Sequence, residues 1–469
     1  MNIERFEIPG LAQYSYIISS QGMAAVVDPI RDVDRYVDYA LRHDLRITHI
    51  LETHIHADFA SGATALAALT GAQLYLSAHD ANEDYEYAFP HHPFSDGESF
   101  LLGAACIQAV HTPGHTPEHL SFLLFDTARS TTQPTALLSG DFLFVGSLGR
   151  PDLLGEAAKQ HLAEELYVSV QSRILTLPDA IEVFPGHGAG SLCGSGMSES
   201  QQSTLGFERT TNPFFQLTEE DFTRQILATV PPFPTYYPRM KSLNAAGAPI
   251  LTTLPGAASI SSAELQRLIT AAPVTLIDLR RPESFGGAHI PNSINIGSGQ
   301  NLSLWAGWLL DSALPIVLID ESASDPSVLE EARRSLIRVG LDNIGGTLAG
   351  GIAAWIDAGL PIAQVPQVSP RDLHALVPEG IVLDVRSNAE WSGGHIANAL
   401  HISLGDLKQH LAELDPTQTY YTVCGSGYRS SIAASTLAAN GFTDIVNMAG
   451  GMSAWNSQKL PLEKFDEGQ

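Results

Sequence analysis

The chain is short of three things, and each shortage excludes something. Cysteine is the scarcest: Cys106, Cys193 and Cys424 are the only three in 469 residues, too scattered for a disulfide framework. A reducing, cytoplasmic setting is therefore expected, with any special cysteine working as a thiol. Positive charge is also scarce, with 25 Lys and Arg against 51 Asp and Glu and a formal charge of −26. Such a surface opposes nucleic-acid binding, which depends on neutralising phosphates. No apolar run approaches the roughly 20 residues that span a bilayer, so no membrane association is expected. Nor does the opening M-N-I-E-R-F-E-I-P-G set a basic segment before an apolar one, as a secretion signal would.

What the chain does have is length beyond the reach of one hydrophobic core, so several domains are expected. In the first part, short apolar runs at 24–27, 47–51, 74–76, 120–125, 136–138 and 181–184 alternate with helical patterns at 33–43, 63–70 and 157–175. Layered sheets flanked by helices follow, with chemistry at strand ends, where the loops 53–62 and 112–119 emerge. The proline-rich P-P-F-P-T-Y-Y-P at 231–238 cannot continue a helix or a central strand, which predicts the end of a first unit, 1–240. The loose A-G-A-P-I-L-T-T-L-P-G at 247–256 belongs to the same boundary neighbourhood. Beyond it L-I-D-L-R-R-P-E-S-F-G-G-A-H-I at 276–290 is echoed by V-L-D-V-R-S-N-A-E-W-S-G-G-H-I at 382–396. Further on, L-A-G-G-I-A-A-W at 348–355 is echoed by M-A-G-G-M-S-A-W at 448–455. Two matched segments in matched order indicate two copies of one fold, 241–365 and 366–469. Buried strands at 275–279, 381–385 and 420–423 alternate with helical stretches, which predicts a small parallel sheet in each copy. The fold class is α/β, multi-domain.

Between Leu51 and Gly62 the chain reads L-E-T-H-I-H-A-D-F-A-S-G. A His-x-His-x-Asp run offers closely spaced metal ligands from one loop: His54, His56 and Asp58. Two-metal hydrolases with this pattern follow the Asp with a His that binds the second ion, but here Phe59 follows and coordinates nothing. T-P-G-H-T-P-E-H at 112–119, L-L-S-G-D-F-L-F at 137–144 and F-P-G-H-G at 184–188 each set a His or Asp on a turn after an apolar strand. This order resembles the metallo-β-lactamase superfamily across roughly residues 1–240 and implies its αββα sandwich. One subgroup resembles the chain more closely, the persulfide dioxygenases, which bind a single iron; G-S-L-G-R-P-D-L at 146–153 is similar to that subgroup too. The resemblance implies one Fe(II) in the N-terminal domain held by His54, His115 and Asp141. Two His and one carboxylate leave open positions for a substrate sulfur and O2. His56, Asp58 and His187 would stand behind the ligands or coordinate directly, and His111 and His119 would be structural. Arg150 would pair with an anionic persulfide or its carboxylate, or else form a surface salt bridge with Asp152. Cys193, just past His187, is close enough in sequence to face the cavity, as a reactive thiol or as an inert buried residue.

In the last copy the strand 420–423 leads into C-G-S-G-Y-R-S and then a helical run. Strand, glycine-containing loop and helix form a cradle of backbone N–H groups for an anion. Gly425, Ser426, Gly427 and Tyr428 line it, Arg429 adds positive charge, and Cys424 is favoured as thiolate. With 384–396 and 450–455, the segment resembles a rhodanese, and Arg follows Cys after four residues, the sulfur-transfer loop length. The earlier copy reads I-D-E-S-A-S-D-P-S at 319–327, without Cys, glycine pair or Arg. It is expected to be catalytically silent, a spacer or an interface.

Over nearly its whole length the chain resembles persulfide dioxygenase–rhodanese fusions. That implies a sulfide-detoxifying enzyme that oxidises a low-molecular-weight persulfide, of glutathione or coenzyme A type, with O2 to sulfite and thiol. Cys424 would then pass sulfur between persulfide, sulfite and thiosulfate. A homo-oligomer is expected by the same analogy. The alternatives are a zinc thioester hydrolase similar to glyoxalase II, and a sulfur sensor whose Cys424 is modified without turnover.

Overall fold

A computed structural model describes residues 1–321, 325–376 and 380–464. The chain divides into two compact units, Met1–Thr252 with Ile337–Gly340, and Thr253–Leu336 with Leu341–Gln469.

The first unit holds two six-stranded sheets. One runs in order from Asn2–Ile8 through Gln13–Ser20, Met23–Val27, Arg46–Leu51 and Gln73–Ser77 to His92–Phe94. In the other, Ala136–Gly140 lies between Glu182–Pro185, parallel to it, and Leu120–Asp126, antiparallel. Side chains of a strand alternate between faces, and Leu120–Asp126 shows which face meets what. Phe122 and Leu124 enter the core between the sheets with Tyr16, Val27, Leu51 and Ile107. Leu123 points the other way, joining Leu137 and Val183 against Leu166 and Phe222 of the helices Lys159–Ser169 and Glu219–Ala228. Asp34–Arg42 and Ala63–Thr70 pack on the first sheet. The layers are therefore αββα, and each fully buried Leu or Phe contributes about 1.5–3 kcal/mol to holding them.

Two expectations change in detail. The helical pattern at 157–175 is an α-helix only to Ser169 and continues as a π-helical turn, Val170–Ile174. The proline-rich stretch does not close the unit: a helix, Tyr237–Ala246, follows it, and the cut at 240 falls inside that helix. Pro238 sits in the first helical turn, where no N–H is needed, so proline starts this helix rather than forbidding it.

The second unit carries two five-stranded parallel sheets with the same strand order. Thr275–Asp278 pairs with Ile316–Ile319 and Ile294–Asn295, as Ile381–Asp384 does with Tyr420–Val423 and Leu400–His401. The repeated D-x-R is structural. Asp278 takes Arg280 and Asp384 takes Arg386 through Nε and Nη2, and Nη2 also donates to Ala288 O or Gly394 O, tying each strand end to its loop. The repeated Trp behaves alike, Trp355 and Trp455 donating to Pro361 O and Pro461 O. Ser322, Ala323 and Ser324 of the earlier copy's loop lie outside the described residues. Among the described residues no helix is long and apolar enough to cross a membrane.

Candidate metal centre and sulfur-transfer loop

His54 follows strand Arg46–Leu51, His115 lies between strands Ala105–His111 and Leu120–Asp126, and Asp141 follows Ala136–Gly140. All three leave strand ends on one rim and are at most 1% exposed. Asp141 Oδ2 is 3.9 Å from His54 Nε2 and 3.5 Å from His115 Nε2, and the three atoms lie within 4.8 Å of one another. The hydrogen bonds fix both tautomers. Thr53 Oγ1 donates to Asp28 Oδ2 at 2.9 Å, so at 3.0 Å it accepts from His54 Nδ1–H. His115 Nδ1–H donates to Arg150 O at 2.8 Å. Each Nε2 therefore presents a lone pair. Burial, then the neighbouring imidazoles, push both histidines well below their ordinary pKa, so they stand neutral. His54 Nε2, His115 Nε2 and Asp141 Oδ2 are buried without a hydrogen-bond partner. Three orphaned acceptors facing one point are what a bound cation satisfies, and two imidazoles plus one carboxylate suit Fe(II). Gly140 makes the approach possible: its φ is +52°, and a Cβ there would lie 2.6 Å from His119 Nε2 and 2.7 Å from Thr53 Cβ. His119 in turn accepts from the Asp141 N–H at 3.2 Å, and His111 binds Pro117 O.

The residues expected behind the ligands surround them. His187 donates through Nδ1 to Asp141 Oδ1 (2.7 Å) and through Nε2 to Asp58 Oδ2 (2.8 Å). Burial opposes a charge on His187, but the two carboxylates overcome it and push its pKa well up. His56 lies 3.1 Å from Asp28 Oδ1, and that carboxylate, against burial, raises its pKa to about 8. Phe59 is fully buried with its ring 4.3 Å from that of His56. Cys193 is buried and, with Asp58 and His187, forms a second group of possible ligands within 4.8 Å; burial pushes its thiol pKa well up. Arg150, expected to meet substrate, is 1% exposed. Its guanidinium forks onto Asp152 and donates to Leu192 O and Pro232 O, joining three loops of the unit.

Cys424 lies buried at the end of strand Tyr420–Val423, and Gly427 N–H donates to its sulfur at 3.1 Å. Helix Tyr428–Ala439 begins there. The loop is closed from beneath by the repeated glycine pair: Gly451 has φ +55°, and a Cβ on it would lie 2.3 Å from Cys424 O. The helix is also docked on the earlier rhodanese-like copy. Tyr428 donates to Gly297 O at 3.1 Å, and Asn295 accepts from Ser431 Oγ at 2.6 Å. Arg429 forks onto Glu390 at 2.7 and 2.6 Å. Reading the sequence missed Glu390, although the repeat carried a signal: Ser284 stands at the matching place of the copy without Cys or Arg.

Glu390 also makes a pH prediction. Burial opposes its charge, but Arg429 wins and holds its pKa at about 2 instead of 4.5. A folded-state pKa below the unfolded one stabilises above the unfolded value, and that contribution is lost as pH falls from 4.5 towards 2. The side chain is 38% exposed. Solvent screening therefore reduces the effect to about 1 kcal/mol. Urea unfolding of Glu390→Gln should show that loss at pH 7 and little difference from the parent at pH 2.

Residues 8–187 match the metallo-beta-lactamase superfamily, and residues 261–358 and 369–458 match the rhodanese-like domain. The structure is similar to a crystal structure of a metallo-beta-lactamase from Staphylococcus aureus subsp. aureus COL, with TM-score 0.66 and 34% identity, covering 74% of this chain and 99% of that one. The chain is 30% identical over 253 residues to the beta-lactamase hydrolase-like protein of Agrobacterium fabrum, 48% of this chain and only 54% of that protein. It is 29% identical over 221 residues to the mitochondrial persulfide dioxygenase ETHE1 of Bos taurus, 46% of this chain and 76% of that protein.

Proposed function

Because the chain belongs to the metallo-beta-lactamase superfamily and carries two rhodanese-like domains after that domain, we propose that it oxidises a low-molecular-weight persulfide and transfers sulfane sulfur. The observation that carries this is the trio of orphaned acceptors, His54 Nε2, His115 Nε2 and Asp141 Oδ2, in a chain whose Cys424 sulfur also accepts from the Gly427 N–H. The overall change balances as RSSH + O2 + H2O giving RSH, sulfite and two protons, with the sulfane sulfur oxidised and O2 reduced by four electrons. Bound Fe(II) would supply open positions where a persulfide sulfur and O2 meet. The chain's own groups do the rest. Thr53 and the Arg150 carbonyl orient the two imidazoles, and His187 holds Asp141 with a proton at Nδ1. In the second unit the Cys424 thiolate would attack the outer sulfur of another persulfide, the S–S bond breaking to release thiolate. Sulfite would then take that sulfur from Cys424, leaving as thiosulfate and restoring the thiolate. Gly427 N–H donates to the Cys424 sulfur and so steadies its negative charge.

A hydrolase reading draws on one observation, the second cluster of Asp58, His187 and Cys193, which offers ligands for a second ion. Full-length protein prepared without air, loaded with Fe(II) or Zn(II), and given glutathione persulfide or S-lactoylglutathione separates the two. O2 uptake with Fe(II) and persulfide, with no thioester hydrolysis by either form, is expected. Thioester hydrolysis by the Zn(II) form without persulfide-dependent O2 uptake overturns the proposal.

A further inference from the structure

Helix Tyr237–Ala246 and the residue before it direct three side chains onto the backbone of one metal-centre loop. Tyr236 donates its hydroxyl to Asp58 O at 3.1 Å, and Lys241 Nζ donates to Ile55 O at 3.0 Å. Asn244 Nδ2 donates to His56 O (2.8 Å) and Phe59 O (2.7 Å), while its Oδ1 accepts from Ser61 N–H at 2.8 Å. Every partner is a main-chain group of the stretch 55–61, which follows His54. Glu118 completes the grip by accepting from Ile55 N–H at 2.9 Å, so opposite charges hold the two main-chain groups of one residue. Lys241 is 1% exposed and Asn244 2%. Lysine is almost never buried so completely unless it is paired, and here Nζ has the Ile55 carbonyl and, 5.3 Å from its centroid, the Tyr85 ring.

We propose that Lys241 and Asn244 are positioning residues of the metal centre, holding the loop 54–59 in the shape that brings His54 to His115 and Asp141. The inference rests on the reading of that trio as a metal site. Phe59 sharpens it. In a two-metal centre the residue at this place binds an ion that also cross-links the loop. Here Asn244 makes the cross-link instead, through the Phe59 carbonyl.

The test uses the full chain, Co(II) as probe, and the variants Asn244→Ala, Asn244→Asp and Lys241→Met. Co(II) affinity by chelator competition should fall about ten- to a hundredfold, as when outer partners of metal ligands are removed. The visible Co(II) spectrum should shift with it. Asn244→Asp keeps the shape but faces two carbonyls without a donor, so it should be as poor as Asn244→Ala. Metal-free near-UV circular dichroism and iodoacetamide labelling of Cys424 should stay at parent values, and Lys241→Met carries the test if an Asn244 variant does not fold. Variants that bind Co(II) within about threefold of the parent, with its spectrum, overturn the proposal. A parent chain that binds no Co(II) overturns the metal-site reading itself, a separate failure.

Discussion

His115→Ala is expected to abolish tight metal binding and, with it, persulfide-dependent O2 uptake, while sulfur transfer at Cys424 continues. Three donor atoms converge here, and none is duplicated: His54 and His115 each offer one Nε2, and Asp141 one oxygen, its other being taken by His187. Removing an outer partner already costs about ten- to a hundredfold in affinity, so losing a direct donor should exceed about a hundredfold. Stability should fall as well, because Arg150 O loses the His115 Nδ1–H bond in a buried site, which costs about 1–3 kcal/mol. The two effects separate by measuring metal content and metal-free unfolding on the same sample. A His115→Ala protein that retains iron at parent affinity and still consumes O2 removes the imidazole from the centre.

What the sequence made legible, and what it hid, follows from how each group is held. The residues themselves offered only several His and Asp on turns after apolar strands. The choice of His54, His115 and Asp141 came from the resemblance to the persulfide dioxygenases, and the fold brings those three together at strand ends. D-x-R and the glycine pairs were visible through repetition alone; their meaning, a fork onto Asp and a close approach beneath Cys424, needed coordinates. Arg150 was expected at substrate because the loop 146–153 resembles that of the persulfide dioxygenases, with a salt bridge to Asp152 as the alternative. Its loop instead turns inward, and its donors end on Asp152, Leu192 O and Pro232 O. Asn244 and Lys241 were invisible for a related reason. Bonds from a side chain to remote carbonyls leave no spacing pattern, and the prolines before them read as an ending.

Cys424→Ser should reduce sulfur transfer by at least about a thousandfold, on the scale of losing a nucleophile that acts as part of a unit, and should spare O2 uptake. Serine keeps an acceptor for Gly427 N–H, so the loop survives, but a hydroxyl neither ionises at neutral pH nor carries sulfane sulfur. No other thiol can take over within the rhodanese-like domains. Of three cysteines in the chain, Cys106 lies on strand Ala105–His111 and Cys193 is buried beside Asp58 and His187, both in the first unit. The earlier copy, 241–365, has none. Mass spectrometry after persulfide treatment should therefore find a labile sulfur on Cys424 in the parent and none on either rhodanese-like domain in the variant. On the proposed function, sulfite should accumulate in the variant and thiosulfate in the parent, because only the second step loses its nucleophile. If Cys424→Ser silences O2 uptake as well, the division between an oxidising first unit and a transferring second one is wrong, and Cys424 must deliver the sulfur that is oxidised.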